Sequence, residues 1–208
     1  MSLPGDYFER LYDAAPDPWG FTDRWYEQRK RAVTLAALPR RRYRTGYEPG
    51  CSIGVLTAQL ADRCDALLAS DVSATALASA AARLADRPHV RLEQRALPQG
   101  WPAEQFDLVV LSELLYYLDD TDLHDVVRRA IGAVAPGGTL LGVHWLHPVR
   151  DYPQTGQRVQ SALATAASGA LTTAVQHTEA DFDLAVYQRP VAGEGPTALS
   201  VASREGLC

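Results

Sequence analysis

The sequence has little of what metal, membrane and nucleic-acid-binding proteins need. Its three cysteines, Cys51, Cys64 and Cys208, do not have the spacing of a metal site, and we expect free thiols and no metal. No apolar run approaches the roughly 20 residues of a membrane span, and the first residues do not resemble a signal peptide. The formal charge of -5 gives no broad attraction to nucleic acid. We therefore expect a cytoplasmic protein with no membrane and no nucleic-acid partner.

Apolar periodicity predicts an α/β fold from residue 43 onward. Short apolar runs alternate with segments of helical periodicity, which is typical of a largely parallel sheet. The predicted strands cover 43–48, 66–71, 89–94, 106–112 and 139–145, and the helices between them cover 53–63, 74–86 and 121–135. A helix near 154–168 precedes two adjacent strands, 171–177 and 182–187, which we expect to be antiparallel. The expected fold is α/β with a seven-stranded, mostly parallel sheet and a C-terminal antiparallel pair.

The first 40 residues are predicted to form a helical lid. A short helix is predicted over 6–13, and Thr22 is the predicted cap of a second helix over 23–38. Aromatic side chains are concentrated in this region, at Trp19, Phe21, Trp25 and Tyr26. Core packing explains any one of them. Four together, just before a glycine-containing turn, favour a cover over a site.

The composition changes at Pro190. Gly193, Gly195 and Pro196 follow it, with few large apolar residues, which is typical of a mobile tail. Domains mostly run from about 50 to 250 residues. We therefore expect one domain over 1–190, made of the lid at 1–40 and a core at 41–190, followed by a mobile tail at 191–208.

The stretch from Glu48 to Gly54, EPGCSIG, has the features of a nucleotide-binding turn. It lies between a predicted strand and a predicted helix. Gly50 permits a sharp turn, and Gly54 permits the helix to pack closely. The next strand ends in Asp71, about 20 residues beyond the first glycine, where nucleotide-binding folds carry a ribose-binding carboxylate. The turn, the helix and the carboxylate together predict a nucleotide-type cofactor.

These features resemble the class I S-adenosylmethionine-dependent methyltransferases. The resemblance rests on Glu48-x-Gly50-x-x-x-Gly54, on Asp71, on the stretch 106–113 and on the terminal antiparallel pair, and it spans most of the chain. More narrowly, three parts resemble the nodulation protein S family, whose members methylate a sugar amine: DPW at 17–19 with WYEQRK at 25–30, EPGCSIGVLT at 48–57, and HWLHP at 144–148 with DYP at 151–153. The resemblance implies a Rossmann-like fold, S-adenosylmethionine as cofactor with S-adenosylhomocysteine as product, and a small-molecule or oligosaccharide acceptor.

The resemblance also implies which residues hold the cofactor. Backbone groups from Gly50 to Gly54 should hold its methionine and ribose parts, and Asp71 should accept hydrogen bonds from the ribose hydroxyls. An alternative role for Asp71 is to cap the helix that follows. Many relatives have an acidic residue for the adenine amino group where this chain has Arg95-Ala96-Leu97-Pro98, so backbone groups of Ala96 and Leu97, or another side chain, must serve instead. The full predicted cofactor set is Glu48, Gly50, Cys51, Ser52, Gly54, Asp71, Val72, Ala96, Leu97, Ser112, Trp19 and Arg29.

Arg29 is expected to pair with the cofactor carboxylate, and a surface position is its alternative. Methyl transfer itself depends on alignment and proximity more than on a strong catalytic group. A positioned base could assist it, and the candidates near the expected site are His144, His147, Glu113, Tyr116 and Tyr117, with His144 and Glu113 as the predicted catalytic residues. His144 leads because it lies in the family-like stretch and its pKa could be tuned near neutrality, whereas Glu113 could instead be a structural cap.

The predicted acceptor pocket lies at the carboxyl ends of the fourth and fifth strands. Trp145 has the alternative of burial on the far side of the sheet, because neighbouring strand residues point to opposite faces. The pocket residues are Glu113, Tyr116, Tyr117, His144, Trp145 and His147.

Other functions stay open on the sequence. A dinucleotide-dependent oxidoreductase is disfavoured, because Ser52 takes the middle glycine position of Gly-x-Gly-x-x-Gly. A non-catalytic S-adenosylmethionine-binding module would keep the fold as a scaffold, and the intact turn and Asp71 argue against it. An O-methyltransferase of a sugar or small molecule would share the same cofactor half. We make no prediction of the oligomeric state.

Overall fold

The computed structural model describes residues 1–191 and 200–207. Its strands are β1 Tyr43–Pro49, β2 Cys64–Asp71, β3 Val90–Gln94, β4 Phe106–Ser112, β5 Val134–Trp145, β6 Thr172–Thr178 and β7 Phe182–Gln188. Its α-helices are α1 Gly5–Ala14, α2 Trp25–Ala37, α3 Val55–Ala61, α4 Ala74–Arg83, α5 Asp120–Ala133, α6 Gly156–Ala167 and α7 Val201–Arg204, and a 3₁₀ turn covers Leu115–Tyr117.

All seven strands belong to one sheet, in the order β3-β2-β1-β4-β5-β7-β6. β7 runs antiparallel to β5 and to β6, and the other neighbouring strands are parallel. This confirms the predicted α/β class with a C-terminal antiparallel pair. The strand order reverses between β1 and β4, and in open α/β sheets such a reversal opens a crevice at the carboxyl ends of the strands. The predicted cofactor turn follows β1 at this place.

The central strands are buried on both faces, which is why they read as continuous apolar runs. In β4, Val109 and Leu111 pack with α5 and α6, while Leu108 and Val110 pack on the opposite face with α2 and α3. Alternate residues of a strand point to opposite faces, so each central strand contributes to both cores. This rigid sheet fixes the positions of the loops at its carboxyl edge.

Two boundaries differ from the sequence predictions. Thr22 does not cap α2, because its hydroxyl donates to Asp17 at 2.7 Å and the helix begins at Trp25. β5 begins at Val134 instead of residue 139, because the backbone around Gly137 pairs with Arg189 and extends the ladder.

The expected mobile tail lies largely outside the described residues. Within the described part of 191–208, Val201–Arg204 form the short helix α7, which was not predicted. In the part of the chain that the structure describes, no helix is both long enough and apolar enough to cross a membrane. The same residues contain no group of three or more His, Cys, Asp or Glu side chains that could hold a metal ion.

Candidate functional site

A cavity of about 560 Å³ opens at the carboxyl ends of β1, β2 and β4. Its lining comes from the turn after β1 with the ends of β2 and β4, from the loop after β3, from residues between Leu114 and Leu118 after β4, from the N-terminal segment between Ser2 and Thr34, and from residues between Trp145 and Tyr152 after β5. The predicted cofactor residues that line it are Trp19, Glu48, Gly50, Cys51, Ser52, Asp71, Val72, Ala96, Leu97 and Ser112. The structure therefore brings together residues that are far apart in the sequence.

Both glycines of the turn are required by their surroundings. Gly50 has φ +72°, and a Cβ there would lie 3.0 Å from Cδ1 of Leu114. Gly54 has φ +77°, and its added Cβ would lie 3.0 Å from the Cβ of Ala80. This left-handed region favours glycine. Gly54 does not line the cavity. Its lack of a side chain instead allows α3 to pack closely on α4.

Asp71 is buried at the end of β2 and faces the turn. Its carboxylate accepts hydrogen bonds from the backbone N–H of Ser52 at 2.8 Å and of Ser73 at 3.0 Å. Burial raises the pKa of Asp71, and these two donors act in the opposite direction. Asp71 is not the cap of α4, because Ser73 holds that position and accepts from the N–H of Ala76 at 3.0 Å.

Glu48 carries a buried acceptor without a partner. The residue is 2% exposed, and among the described residues no group donates to its Oε2. Burial raises the pKa of Glu48 to about 8. A buried polar atom without a partner is costly. Because Glu48 lines the cavity, its Oε2 fits a hydrogen-bond donor of a ligand, as the amino and hydroxyl groups of S-adenosylmethionine would supply.

The first helix ties the N-terminal segment to the cofactor turn. The hydroxyl of Tyr12 donates to Oγ of Ser52 at 2.5 Å. Glu9 accepts from the hydroxyl of Ser73 at 2.7 Å and from the backbone of Ala74 at 2.5 Å, at the start of α4. Packing is tight here, since a Cβ on Gly5 would lie 2.8 Å from Val72. The segment therefore covers the crevice in this structure.

The structure corrects the placement of Arg29. Its guanidinium lies outside the cavity and pairs with Glu179 through contacts of 2.6 and 2.7 Å. Arg31 lines the cavity instead. It donates to the carbonyl of Phe21 at 2.8 Å, and among the described residues its buried Nε has no partner. Helical spacing is the signal that distinguishes Arg31 from Arg29. The inward-facing residues 27, 30, 31 and 34 of α2 recur at intervals of three and four.

Glu113 joins three elements at the edge of the cavity. It has φ +55°, a strained value for a residue other than glycine. Its Oε1 accepts from the ammonium of Lys30 at 3.0 Å, and its Oε2 accepts from the hydroxyl of Tyr116 and from the backbone N–H of Trp145 at 3.2 Å. Lys30 lies 3.0 Å from Glu27 as well. Glu113 is not a helix cap, because its side chain is used in this network.

His144 is fully buried and does not line the cavity. The backbone N–H of Leu115 donates to its Nε2 at 3.3 Å, and Nδ1 lies 3.3 Å from Oε1 of Gln160 on α6. Burial lowers the pKa of His144 to about 4. Both ring nitrogens are therefore occupied on the far side of the sheet. The prediction of His144 as the base is therefore wrong, since a proton acceptor must reach the substrate.

At the end of β5 the side chains point to the opposite faces of the sheet from those predicted. Trp145 lines the cavity, and its neighbour His144 points away from it. His147 is also outside the cavity, with Nε2 2.7 Å from Asp181. Tyr116 and Tyr117 line the cavity as expected, and the ring of Tyr152 joins them by stacking on Tyr116.

Comparisons with known proteins agree with this architecture. The sequence profile of the nodulation protein S family matches residues 6–144. The curated nodulation protein S of Bradyrhizobium diazoefficiens is 32% identical over 130 residues, which are 62% of this chain and 62% of that protein. The match therefore spans about three fifths of that relative's length.

Solved structures extend the likeness over more of the chain. The N-methyltransferase NodS of Bradyrhizobium japonicum WM9, in complex with S-adenosylhomocysteine, is 30% identical and has a TM-score of 0.76. The likeness covers 89% of this chain and 97% of that one. A structure from Pseudomonas syringae is 49% identical with a TM-score of 0.71, covering 80% of this chain and 100% of that one. This chain belongs to the nodulation protein S family, on a Rossmann-like methyltransferase fold.

Proposed function

We propose that this protein transfers a methyl group from S-adenosylmethionine to an amine nitrogen of an amino sugar or a similarly polar acceptor. One observation carries the proposal: a continuous cavity joins the crevice at the glycine turn to a second half that aromatic and charged side chains line. The N-methyltransferase NodS, with its bound S-adenosylhomocysteine, supports both the cofactor and the choice of nitrogen.

The cofactor half offers partners for several polar groups of S-adenosylmethionine. We assign the ribose hydroxyls to Asp71 and a donor of the cofactor to the unpaired Oε2 of Glu48. The guanidinium of Arg31, with its unpaired Nε, is suited to the cofactor carboxylate. The adenine would lie against Val72 and the backbone at Ala96. When bound, S-adenosylmethionine supplies a methyl group on a positively charged sulfur, which is a good leaving group.

The acceptor half combines flat aromatic faces with charged groups. Trp145 and Tyr152 line the cavity, and their rings can pack against the apolar face of a pyranose. Glu27 and Glu113 lie in the same half and suit a cationic amine. Because the N-terminal segment lines both halves, we treat 1–40 and the core as one functional domain over 1–190.

The test is methyl transfer to a matched panel of acceptors. The protein is incubated with labelled S-adenosylmethionine and with glucosamine oligosaccharides, their N-acetylated counterparts and plain glucose oligosaccharides. We expect label in the amine-bearing sugars alone, because acetylation removes the nucleophilic lone pair. Equal labelling of hydroxyl-only sugars would refute the choice of nitrogen. Absence of S-adenosylhomocysteine binding, measured by calorimetry, would refute the methyltransferase function itself.

A further inference from the structure

Two carboxylates share one buried ammonium in the acceptor half of the cavity. Nζ of Lys30 lies 3.0 Å from Oε1 of Glu27 and 3.0 Å from Oε1 of Glu113. The Lys30 side chain is 5% exposed, and its ammonium lies 4.9 Å from the centre of the Tyr26 ring. Such a cluster is held together only while every charge has a partner, because an unpaired buried charge is strongly destabilising. Within this trio the carboxylates outnumber the ammonium by one, and the guanidinium of Arg31 is the second cation that acts on Glu27.

The two carboxylates differ in how much of their hydrogen-bonding capacity is already used. Glu113 accepts from three donors, and both of its oxygens are engaged. The side chain of Glu27 has one hydrogen bond among the described residues, from Lys30 to Oε1. Glu27 also lines the cavity, on the inward face of α2. Its Oε2 is therefore the carboxylate oxygen that a cationic ligand can engage.

We propose that Glu27 binds the ammonium of the methyl acceptor and accepts its proton, and that Lys30 and Glu113 are positioning residues for it. The inference rests on the function proposed above and assigns it a base. Lys30 fixes the carboxylate of Glu27 through Oε1, and Glu113 fixes Lys30 in turn. The strained backbone of Glu113 agrees with a position that the site requires, since such strain is concentrated at functional sites.

The proton transfer is balanced within the residues named. An N–H bond of the acceptor ammonium breaks, and its electron pair stays on nitrogen as the lone pair that methyl transfer needs. An O–H bond forms on Glu27, which becomes neutral. The proton returns to solvent through the cavity when the product leaves. No oxidant, reductant or metal takes part in this step.

The electrostatic surroundings of Glu27 suit this exchange. Burial raises its pKa, and repulsion from Glu113 acts in the same direction. Lys30 and Arg31 oppose the rise. A carboxylate with a raised pKa is a stronger base, and general bases work best when their pKa lies near the working pH. The charged groups that face Glu27 are thus two from its own helix and one from the end of β4.

The experiment compares Glu27→Gln with the wild type and with Glu104→Gln. Gln keeps an oxygen acceptor for Lys30 and removes the charge, while Glu104 is an exposed residue outside the cavity. Calorimetry with saturating S-adenosylhomocysteine measures the binding of a glucosamine tetrasaccharide and of its N-acetylated counterpart. We expect the wild type and Glu104→Gln to prefer the amine form by at least tenfold, and Glu27→Gln to lose this preference.

The pH profile separates proton acceptance from binding. General-base catalysis contributes about 10²–10⁴-fold, so kcat of Glu27→Gln at pH 7 should fall by at least about 10²-fold and recover as the pH rises and the free amine becomes abundant. Glu27→Asp, which keeps the charge, should retain the amine preference and part of kcat. Unchanged S-adenosylhomocysteine affinity shows that each variant is folded.

Two results would overturn the inference. One is a wild type that binds both sugars equally, and the other is a Glu27→Gln variant with wild-type kcat at pH 7 and an intact amine preference. A wild type that does not bind S-adenosylhomocysteine would instead refute the function proposed above, so the two failures are distinguishable.

Discussion

Replacing Asp71 by Asn should weaken the binding of S-adenosylhomocysteine by about 10-fold to 150-fold while the fold is kept. Asn has almost the same shape and keeps one oxygen, but it loses the charge and one acceptor, so one of the backbone N–H groups of Ser52 and Ser73 also loses its partner at a cost of about 1–3 kcal/mol in stability. A hydrogen bond to a charged group contributes about 1.5–3 kcal/mol, and each 1.4 kcal/mol is a factor of about ten in affinity. The loss of one ribose contact therefore gives the stated range.

Asp71→Ala tests the contribution of the same residue to stability. The carboxylate accepts from two backbone N–H groups, of Ser52 and Ser73, and Ala would leave both without this acceptor. Each orphaned donor costs about 1–3 kcal/mol, so the free energy of unfolding should fall by about 2–6 kcal/mol.

Calorimetry for S-adenosylhomocysteine and urea unfolding measure the two effects separately. Asp65→Asn is the matched control, because it changes an exposed residue at the opposite end of β2 that does not line the cavity. It should leave both quantities at the wild-type level. Wild-type affinity in Asp71→Asn would show that the cofactor does not depend on this carboxylate, and the site assignment would be wrong.

Three further predictions concern the same site. Arg31→Met should lower the affinity for S-adenosylhomocysteine at least tenfold and Arg29→Met less than threefold in calorimetry, and equal effects would contradict the placement of the two arginines. Folding raises the pKa of Glu48 from its usual value of 4.5 to about 8. Between these two pH values the folded protein holds a proton that the unfolded chain releases, so stability falls as the pH rises through this window. Glu48→Gln should flatten this decline in urea unfolding from pH 5 to 8, and an unchanged slope would argue against a protonated Glu48. Gly50→Ala should lower Tm and weaken cofactor binding, because φ of +72° costs a residue with a side chain about 1–2 kcal/mol; a wild-type Tm would contradict the strain.

The sheet could be predicted because the apolar pattern of its strands agrees with their burial in the fold. β4 is apolar at consecutive positions, which fits a strand covered on both faces. The EPGCSIG turn and Asp71 are close in sequence and follow adjacent strands, so their meeting at one edge follows from the parallel topology. The start of β5 was misjudged because Pro136-Gly137-Gly138 is a helix stop in sequence, whereas in the structure it also pairs with Arg189, the residue after β7.

The acceptor half was less predictable, because it depends on which way side chains point. A shift of one residue in strand phase exchanges His144 for Trp145, and the sequence does not fix that phase at a strand end. On α2 the distinction between Arg29 and Arg31 follows helical spacing. Lys30 and Glu27 were missed as site residues, although as polar residues on the inward face of an amphipathic helix they break the expected pattern.

The N-terminal segment connects the two halves of the cavity physically. α1 contacts the cofactor turn through the bond from Tyr12 to Ser52, and α2 contacts the acceptor half through the ion pair between Lys30 and Glu113. The same segment supplies both Arg31 and Glu27 to the lining of the cavity. A contact that holds the segment at the cofactor turn therefore also affects the position of its charged side chains in the acceptor half. This is why cofactor affinity and acceptor chemistry must be measured separately in each variant.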